Sequence, residues 1–264
     1  MKKRKRFPLT KSELALMEIL WDADRPLGRP EILEAAISEK GEPLFAVNSF
    51  HLLINDLIDK EYIVVVGGAN MDISGRPDAP LVAQDSNPGK VRLSPGGVAR
   101  NIAHNLALLG EDVKLITAFG DDPHANQLAE GCRRLGIDVN DTLTVPGGTT
   151  STYLFIADHT GEMQLAINEM DIYEELTPRF FESKMDLINR ASLCIMDTNL
   201  PEESLRFLAE NCRCPLFADT VSTVKAKKLA GLFYKIHTIK PNLLEAQLLT
   251  GIEIRDEDSL RRAA

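Results

Sequence analysis

The run Ile63-Val64-Val65-Val66, followed at once by Gly67-Gly68, constrains this chain more than any other feature. Four β-branched residues in a row leave no polar face for water, so a strand made of them is buried on both sides. Helices laid on both faces of a sheet supply that cover, which predicts a doubly wound α/β core. The sequence after this run fits. Strands are expected near 113–119, 192–196, 215–218 and 236–239, and helices near 97–109, 123–135, 177–190, 201–211 and 242–250. Two stretches, 72–94 and 149–168, interrupt the alternation and read as extra β segments. In the second, TSTYLFIADHTGEMQLAI forms a hairpin pattern around Asp158-His159-Thr160-Gly161. Two β excursions from one core predict a small lid over a substrate cleft.

The first sixty residues have a different period. Thr10-Lys11-Ser12-Glu13 fits a capping box, and Leu14, Met17 and Trp21 then recur at helical spacing. Pro30 suits the first turn of a second helix, Glu31 to Ser38. A third runs from about Asn48 to Lys60, with Phe50, Leu53, Ile54, Leu57 and Ile58 on its apolar side. Three short helices with tight turns predict a helix-turn-helix-like domain over 1–62, ahead of an α/β domain over 63–264.

With 44% hydrophobic and 26% charged residues, the chain has the balance of a globular protein. A net charge of −9 argues against nucleic acid as the main partner. The exception is Lys2-Lys3-Arg4-Lys5-Arg6, which reads either as a solvated tail or as an arm touching DNA phosphates. No apolar stretch approaches the roughly 20 residues of a membrane span. Phe7-Pro8-Leu9 leads into Lys11 and Glu13 rather than an apolar signal segment, so a cytoplasmic location is expected. Cys132, Cys194, Cys212 and Cys214 lack the paired spacing of a structural zinc site and read as ordinary thiols.

Three strings carry chemistry. Gly67-Gly68-Ala69-Asn70-Met71-Asp72 places Asn70 and Asp72 just past the carboxyl end of the first strand, the edge where open α/β sheets bind ligands. Both side chains can accept from sugar hydroxyls, or else cap a turn. Ser94-Pro95-Gly96-Gly97-Val98-Ala99-Arg100-Asn101 opens a helix with two glycines, which either let backbone amides approach an oxygen-rich group or simply make a turn. Lys240-Pro241-Asn242-Leu243-Leu244-Glu245 starts a helix with Asn242 as cap and Glu245 three residues on.

In this order, NxD, SPGGxxRN and KPNxxEA resemble the ribokinase-like (PfkB) carbohydrate kinases over about 63–264. The longer strings SNPGKVRLSPGGVARNIAHNLALLG, GGTTSTYLFIADHTGEMQLAINEMD and HTIKPNLLEAQLLTG are most similar to pseudouridine kinases within that family. The resemblance implies a Rossmann-like, ribokinase-type sheet and transfer of the γ-phosphoryl of ATP, with Mg2+, to the 5′-hydroxyl of a sugar or nucleoside, pseudouridine foremost. It implies that Asn70, Asp72, Gly96, Gly97 and Asn101 hold sugar hydroxyls, and that Thr152 and Asn168 contact sugar or base. Asn242, Glu245 and Asp219 would organise the phosphate end, with Glu245 acting on Mg2+ indirectly. It also implies dimers through lid strands. The family's Gly-Ala-Gly-Asp helix start, whose Asp is the general base, does not occur in the sequence. A kinase truncated at its C-terminus, without its catalytic base, is therefore expected. A nucleoside- or sugar-sensing DNA-binding regulator is the alternative.

Residues 9–63 resemble the winged-helix domain of penicillinase-repressor-type regulators, without a full wing. That resemblance implies DNA contacts from Asn48, Ser49 and His51.

Overall fold

Ile63 to Val66 lie in a strand, β1 (Tyr62–Val66), in which Val64, Val65 and Val66 are wholly inaccessible to water. In the computed structural model, residues 62–263 are described. The helix-turn-helix expectation for residues 1–62, with Asn48, Ser49 and His51, lies outside the described residues except for Tyr62.

After β1 come β2 (Asn70–Pro77), β3 (Gly89–Gly96), α1 (Val98–Leu108), β4 (Asp112–Ile116), β5 (Ala118–Phe119) and α2 (Pro123–Arg134). Next are β6 (Ile137–Asp138), β7 (Leu143–Thr144), β8 (Thr152–Ala157), β9 (Met163–Glu169), α3 (Pro178–Glu182) and α4 (Met185–Arg190). The remainder is β10 (Leu193–Asp197), α5 (Glu202–Asn211), β11 (Leu216–Asp219), α6 (Thr223–Ala226), β12 (Thr238–Lys240), α7 (Leu243–Thr250) and α8 (Glu257–Ala263).

Six strands form one sheet in the order β12-β11-β10-β1-β4-β6, and every pairing in it is parallel. Alternation along β1 sends its side chains to two separate cores. Ile63 and Val65 pack with Ala99 and Ala103 of α1 and Leu128 and Cys132 of α2. Val64 and Val66 pack with Phe181, Ile188, Leu205 and Leu208 of α3, α4 and α5. Both faces are covered, as the unbroken β-branched run requires.

The lid expected from the two β excursions is a second sheet in the order β3-β2-β8-β9, with β2 and β8 parallel and the outer pairs antiparallel. Asp158 closes the β8–β9 turn by accepting from the amides of Thr160 and Gly161 and from the Thr160 hydroxyl. The hydroxyl bond foremost, with the neighbouring amides, holds its carboxyl down to about 2.

Two boundaries differ from expectation. The strand near 113–119 breaks at Thr117, because Thr117 and Phe119 turn their carbonyls to the amides of Leu143 and Val145 and start a separate two-stranded sheet, β5-β7. The helix near 177–190 divides at Ser183-Lys184. There the Ser183 hydroxyl bonds the Phe180 carbonyl at 2.7 Å, and the Ser183 and Lys184 amides close tight turns onto Phe180 and Phe181.

Candidate functional site

The chain winds from β1 outward through β4 to β6, then returns to the other side of β1 at β10 and continues to β12. β1 and β10 therefore flank a topological switch point, where open α/β sheets form a crevice beyond their carboxyl ends. At that crevice β1 runs into Gly67-Gly68 and β10 ends in Asp197.

Asp197 is fully buried. Its Oδ2 accepts from the amides of Gly68 at 2.9 Å and Ala99 at 2.8 Å, and its Oδ1 accepts from the amide of Asn199 at 2.8 Å. One carboxylate thus ties the end of β1, the first turn of α1 and the loop after β10. Burial pushes its carboxyl above the ordinary carboxylate range, against the pull of those donors. The same contact explains Gly67, which has φ +144 and where a Cβ would sit 2.4 Å from the Asp197 carboxyl carbon.

The β2–β3 register sets Asn70 opposite Gly96 and Asp72 opposite Ser94. The NxD and PGG strings, far apart in sequence, therefore meet. Asn70, 5% exposed, donates its Nδ2 to Asp72 Oδ1. A Cβ on Gly96 would fall 2.3 Å from Asp72 Oδ2, so glycine leaves the space that the carboxylate occupies. Gly97 caps α1 at φ +95 with no side-chain hydrogen bond, and a Cβ there would meet the Gly68 carbonyl at 2.4 Å. The Asp72 carboxyl is raised by burial, offset by the Asn70 bond and by the nearby Arg100 cation.

The lid register then separates two expected residues. Asp72 pairs with Tyr153, and Tyr153 with Asn168, so these side chains share one face with Ser94. Thr152 pairs with Met71 and Glu169, which places it on the opposite face. Asn101 is exposed on α1 and its Oδ1 accepts from Arg100 at 3.1 Å.

At the other end of the same sheet edge, Asp197, Asp219 and Lys240 stand side by side in register across β10, β11 and β12. Asp219 Oδ1 accepts from the Val221 amide, and Lys240 Nζ lies 3.2 Å from its Oδ2. Val221 has φ 57, a left-handed conformation that costs a β-branched residue about 1–3 kcal/mol. Asn242 and Glu245 form a complete capping box at the start of α7. Glu245 is 4% exposed, and its oxygens accept from Asn242 and from the buried Thr220 hydroxyl. Glu245 thereby clamps β11 to α7, whereas Asp219, with its side chain 13% exposed, keeps some open surface.

Reading strings did not single out Asp197, Asn199, Thr220 or Lys225. Asp197 was within reach, because it directly follows the expected strand 192–196 at a ligand-facing end. The others gain meaning only from neighbours distant in sequence.

Residues 60–264 match the model of the pfkB family carbohydrate kinases. The pseudouridine kinase of Escherichia coli (strain K12) is 41% identical over 207 residues, which is 78% of this chain and 66% of that protein. An uncharacterized sugar kinase, YeiI, of the same organism is 43% identical over 204 residues, 76% of this chain and 56% of that one. The chain thus spans about two thirds or less of these relatives' length. A carbohydrate kinase from Agrobacterium tumefaciens superposes with TM-score 0.70 at 32% identity, covering 77% of this chain and 67% of that one. Arabidopsis thaliana ribokinase complexed with ribose and ATP shares the fold, with TM-score 0.66 at 18% identity over 77% of this chain and 67% of its own. With the family model matched over residues 60–264 and 41% identity to a curated relative, the chain belongs to the pfkB family of carbohydrate kinases.

Proposed function

We propose that this chain belongs to an ATP-dependent phosphotransferase acting on a sugar or nucleoside, with the 5′-hydroxyl of pseudouridine as the acceptor group. The observation that carries the reading is the meeting of Asn70 and Asp72 with Gly96 and Gly97 at the switch point. Two oxygen acceptors beside the start of α1 suit vicinal hydroxyls, with Asp72 accepting and the helix end favouring oxygen-rich groups. The identity to the two bacterial relatives supports the acceptor class.

Phosphoryl transfer depends on positioning and charge neutralisation. ATP with Mg2+ would supply the phosphoryl group. Asp219 fits the metal–phosphate end because its carboxylate is partly open, and Asn242 and Glu245 fit as the clamp that positions α7. No Gly-Ala-Gly-Asp string is present to act as base, so acceptor binding by this chain is expected to exceed turnover. Calorimetric titration with pseudouridine, uridine and ribose, run beside an ADP-release assay, tests this. Pseudouridine binding with weak turnover is the expected result, and no binding of any acceptor overturns it.

The reading extends to a homodimer through the lid. Leu93, Leu154 and Ile167 lie in one cross-strand row with Ile73, and the three are 49%, 37% and 59% exposed. Val91 and Leu165 extend that apolar face at 70% and 60% exposure. A contiguous exposed apolar face of this kind is covered in assemblies. Sedimentation is expected to show a dimer that Ile167→Arg converts to monomer. A wild-type monomer at tens of micromolar, a concentration at which about 7 kcal/mol of binding would hold a dimer, overturns it.

A further inference from the structure

Three of the four cysteines in the sequence meet at one edge of the main sheet. Cys194 is the second residue of β10, Cys212 caps the end of α5, and Cys214 leads into β11. The parallel register sets Cys194 beside Leu216, which brings the start of β11 and its two preceding thiols against β10. The Sγ atoms of Cys212 and Cys214 stand 3.3 Å apart, so a single S–H can bridge them. Cys194 reaches Cys212 with a further hydrogen bond from inside the core. Arg213, between the pair, is held by its amide, which donates to Asn189 Oδ1 at 2.7 Å.

These thiols differ from an ordinary core cysteine. Cys132 and Cys194 are wholly buried, whereas Cys212 and Cys214 are partly open to solvent. Burial raises the Cys132 thiol above its ordinary range, as an apolar enclosure should. Cys212 goes the other way. Its hydrogen bonds with Cys194 foremost, and then with Cys214, hold its thiol well below that range against the push of burial. The same bonds, together with burial, hold Cys194 and Cys214 above it. The thiolate is the nucleophile. The cluster therefore offers a thiolate at Cys212, a protonated thiol in contact with it at Cys214, and access from solvent to both. Two residues of chain span at most about 7 Å, and a disulfide joins Cα atoms about 4.4–6.8 Å apart. Closure asks only for rotation of two side chains that already touch.

We propose that Cys212 and Cys214 form an oxidation site that reacts with a hydroperoxide and closes reversibly to an intrachain disulfide. In the first step the Cys212 thiolate attacks one peroxide oxygen and the O–O bond breaks. Cys212 becomes a sulfenic acid, and the other oxygen takes a proton and leaves as an alcohol, or as water from hydrogen peroxide. In the second step the Cys214 sulfur attacks the Cys212 sulfur and the S–O bond breaks. That oxygen leaves as water with the Cys214 proton. The two sulfurs together lose one electron pair, which the peroxide gains. A partly exposed disulfide is a labile one, so a dithiol reductant restores both thiols by exchange. Cys194 polarises Cys212 from a position closed to the oxidant and remains a thiol. The cluster lies toward the start of β10 and Asp197 at its end, so the site stands apart from the acceptor crevice.

Peptide mapping of the full chain tests this. The reduced chain is treated with a modest excess of hydrogen peroxide, alkylated, and cut with trypsin after Arg213. The expected result is loss of two of the four thiols, with the peptide that ends at Arg213 joined to the one that starts at Cys214. Dithiothreitol should restore both thiols. In Cys214→Ser, dimedone should trap a sulfenic acid at Cys212. In Cys212→Ser, oxidation of Cys214 should slow about tenfold, because an ordinary thiol is only a few per cent thiolate near neutral pH. Four alkylated thiols after peroxide, a link through Cys132 or Cys194, or a disulfide between two chains overturns the inference. Undiminished oxidation of Cys214 in Cys212→Ser does so too. The wild-type map decides the link whether or not the variants fold.

Discussion

Replacing Asp197 with alanine is expected to destabilise the α/β domain by about 3–5 kcal/mol, the range for breaking a buried charged network. Three backbone amides, those of Gly68, Ala99 and Asn199, would lose their acceptor at once inside the protein. Each unsatisfied buried amide costs about 1–3 kcal/mol, and partial relaxation keeps the total below the sum. Differential scanning calorimetry should show a drop of about 6–20 °C in Tm, given about 2–4 °C per kcal/mol for a domain of this size. The same variant should lose acceptor binding, because those amides set the end of β1 and the start of α1. Asp197→Asn should fall between wild type and alanine, since it keeps one acceptor oxygen and turns an NH2 group toward an amide donor. A Tm within 2 °C of wild type for Asp197→Ala would show that water or local movement replaces the carboxylate.

Asp72→Ala is expected to leave the fold intact and to weaken sugar binding about a hundredfold. That magnitude corresponds to two charge-assisted hydrogen bonds of about 1.5 kcal/mol each. Asp72 is only partly buried, and Asn70, its side-chain hydrogen-bond partner among the described residues, remains available to solvent or ligand after the change. Asp72→Asn keeps one acceptor and should lose about tenfold, the share of one such bond. Titration calorimetry with pseudouridine reads both, and binding within twofold of wild type would remove Asp72 from the sugar site. Acidity adds a second reading. Burial raises the Asp72 carboxyl above its ordinary value, and the accepting form is the carboxylate. Binding should therefore weaken as pH falls through that raised value, sooner than for an exposed aspartate, and Asp72→Asn should flatten the dependence.

The NxD and PGG strings illustrate how far a linear reading reaches. Asn70, Asp72, Gly96 and Gly97 were legible as candidates because their residue types sit at strand and helix ends. That Gly96 must be glycine because Asp72 occupies its Cβ space follows only from the antiparallel register of β2 and β3. The family resemblance implies the same kind of contact for Thr152 and Asn168, whereas a period-2 backbone places them on opposite faces of the lid. The Asn242–Glu245 cap was visible as a local pattern with N3 spacing. The hold of Glu245 on Thr220 was not, because it joins residues 25 positions apart.

By itself the sequence determined the class of architecture. A β-branched run needs cover on two faces, alternating periods supply the helices, and the short-range signal at Asn242 sets a helix start whose partner lies within one turn. Tertiary structure alone decided what the crevice is made of. Asp197 joins three segments of chain, and Lys225 joins a loop after β10 to the exit of the lid. Such contacts depend on strand order and register. Those are set by packing between segments apart in the chain, from 26 to 129 residues for these contacts, and no local pattern encodes them.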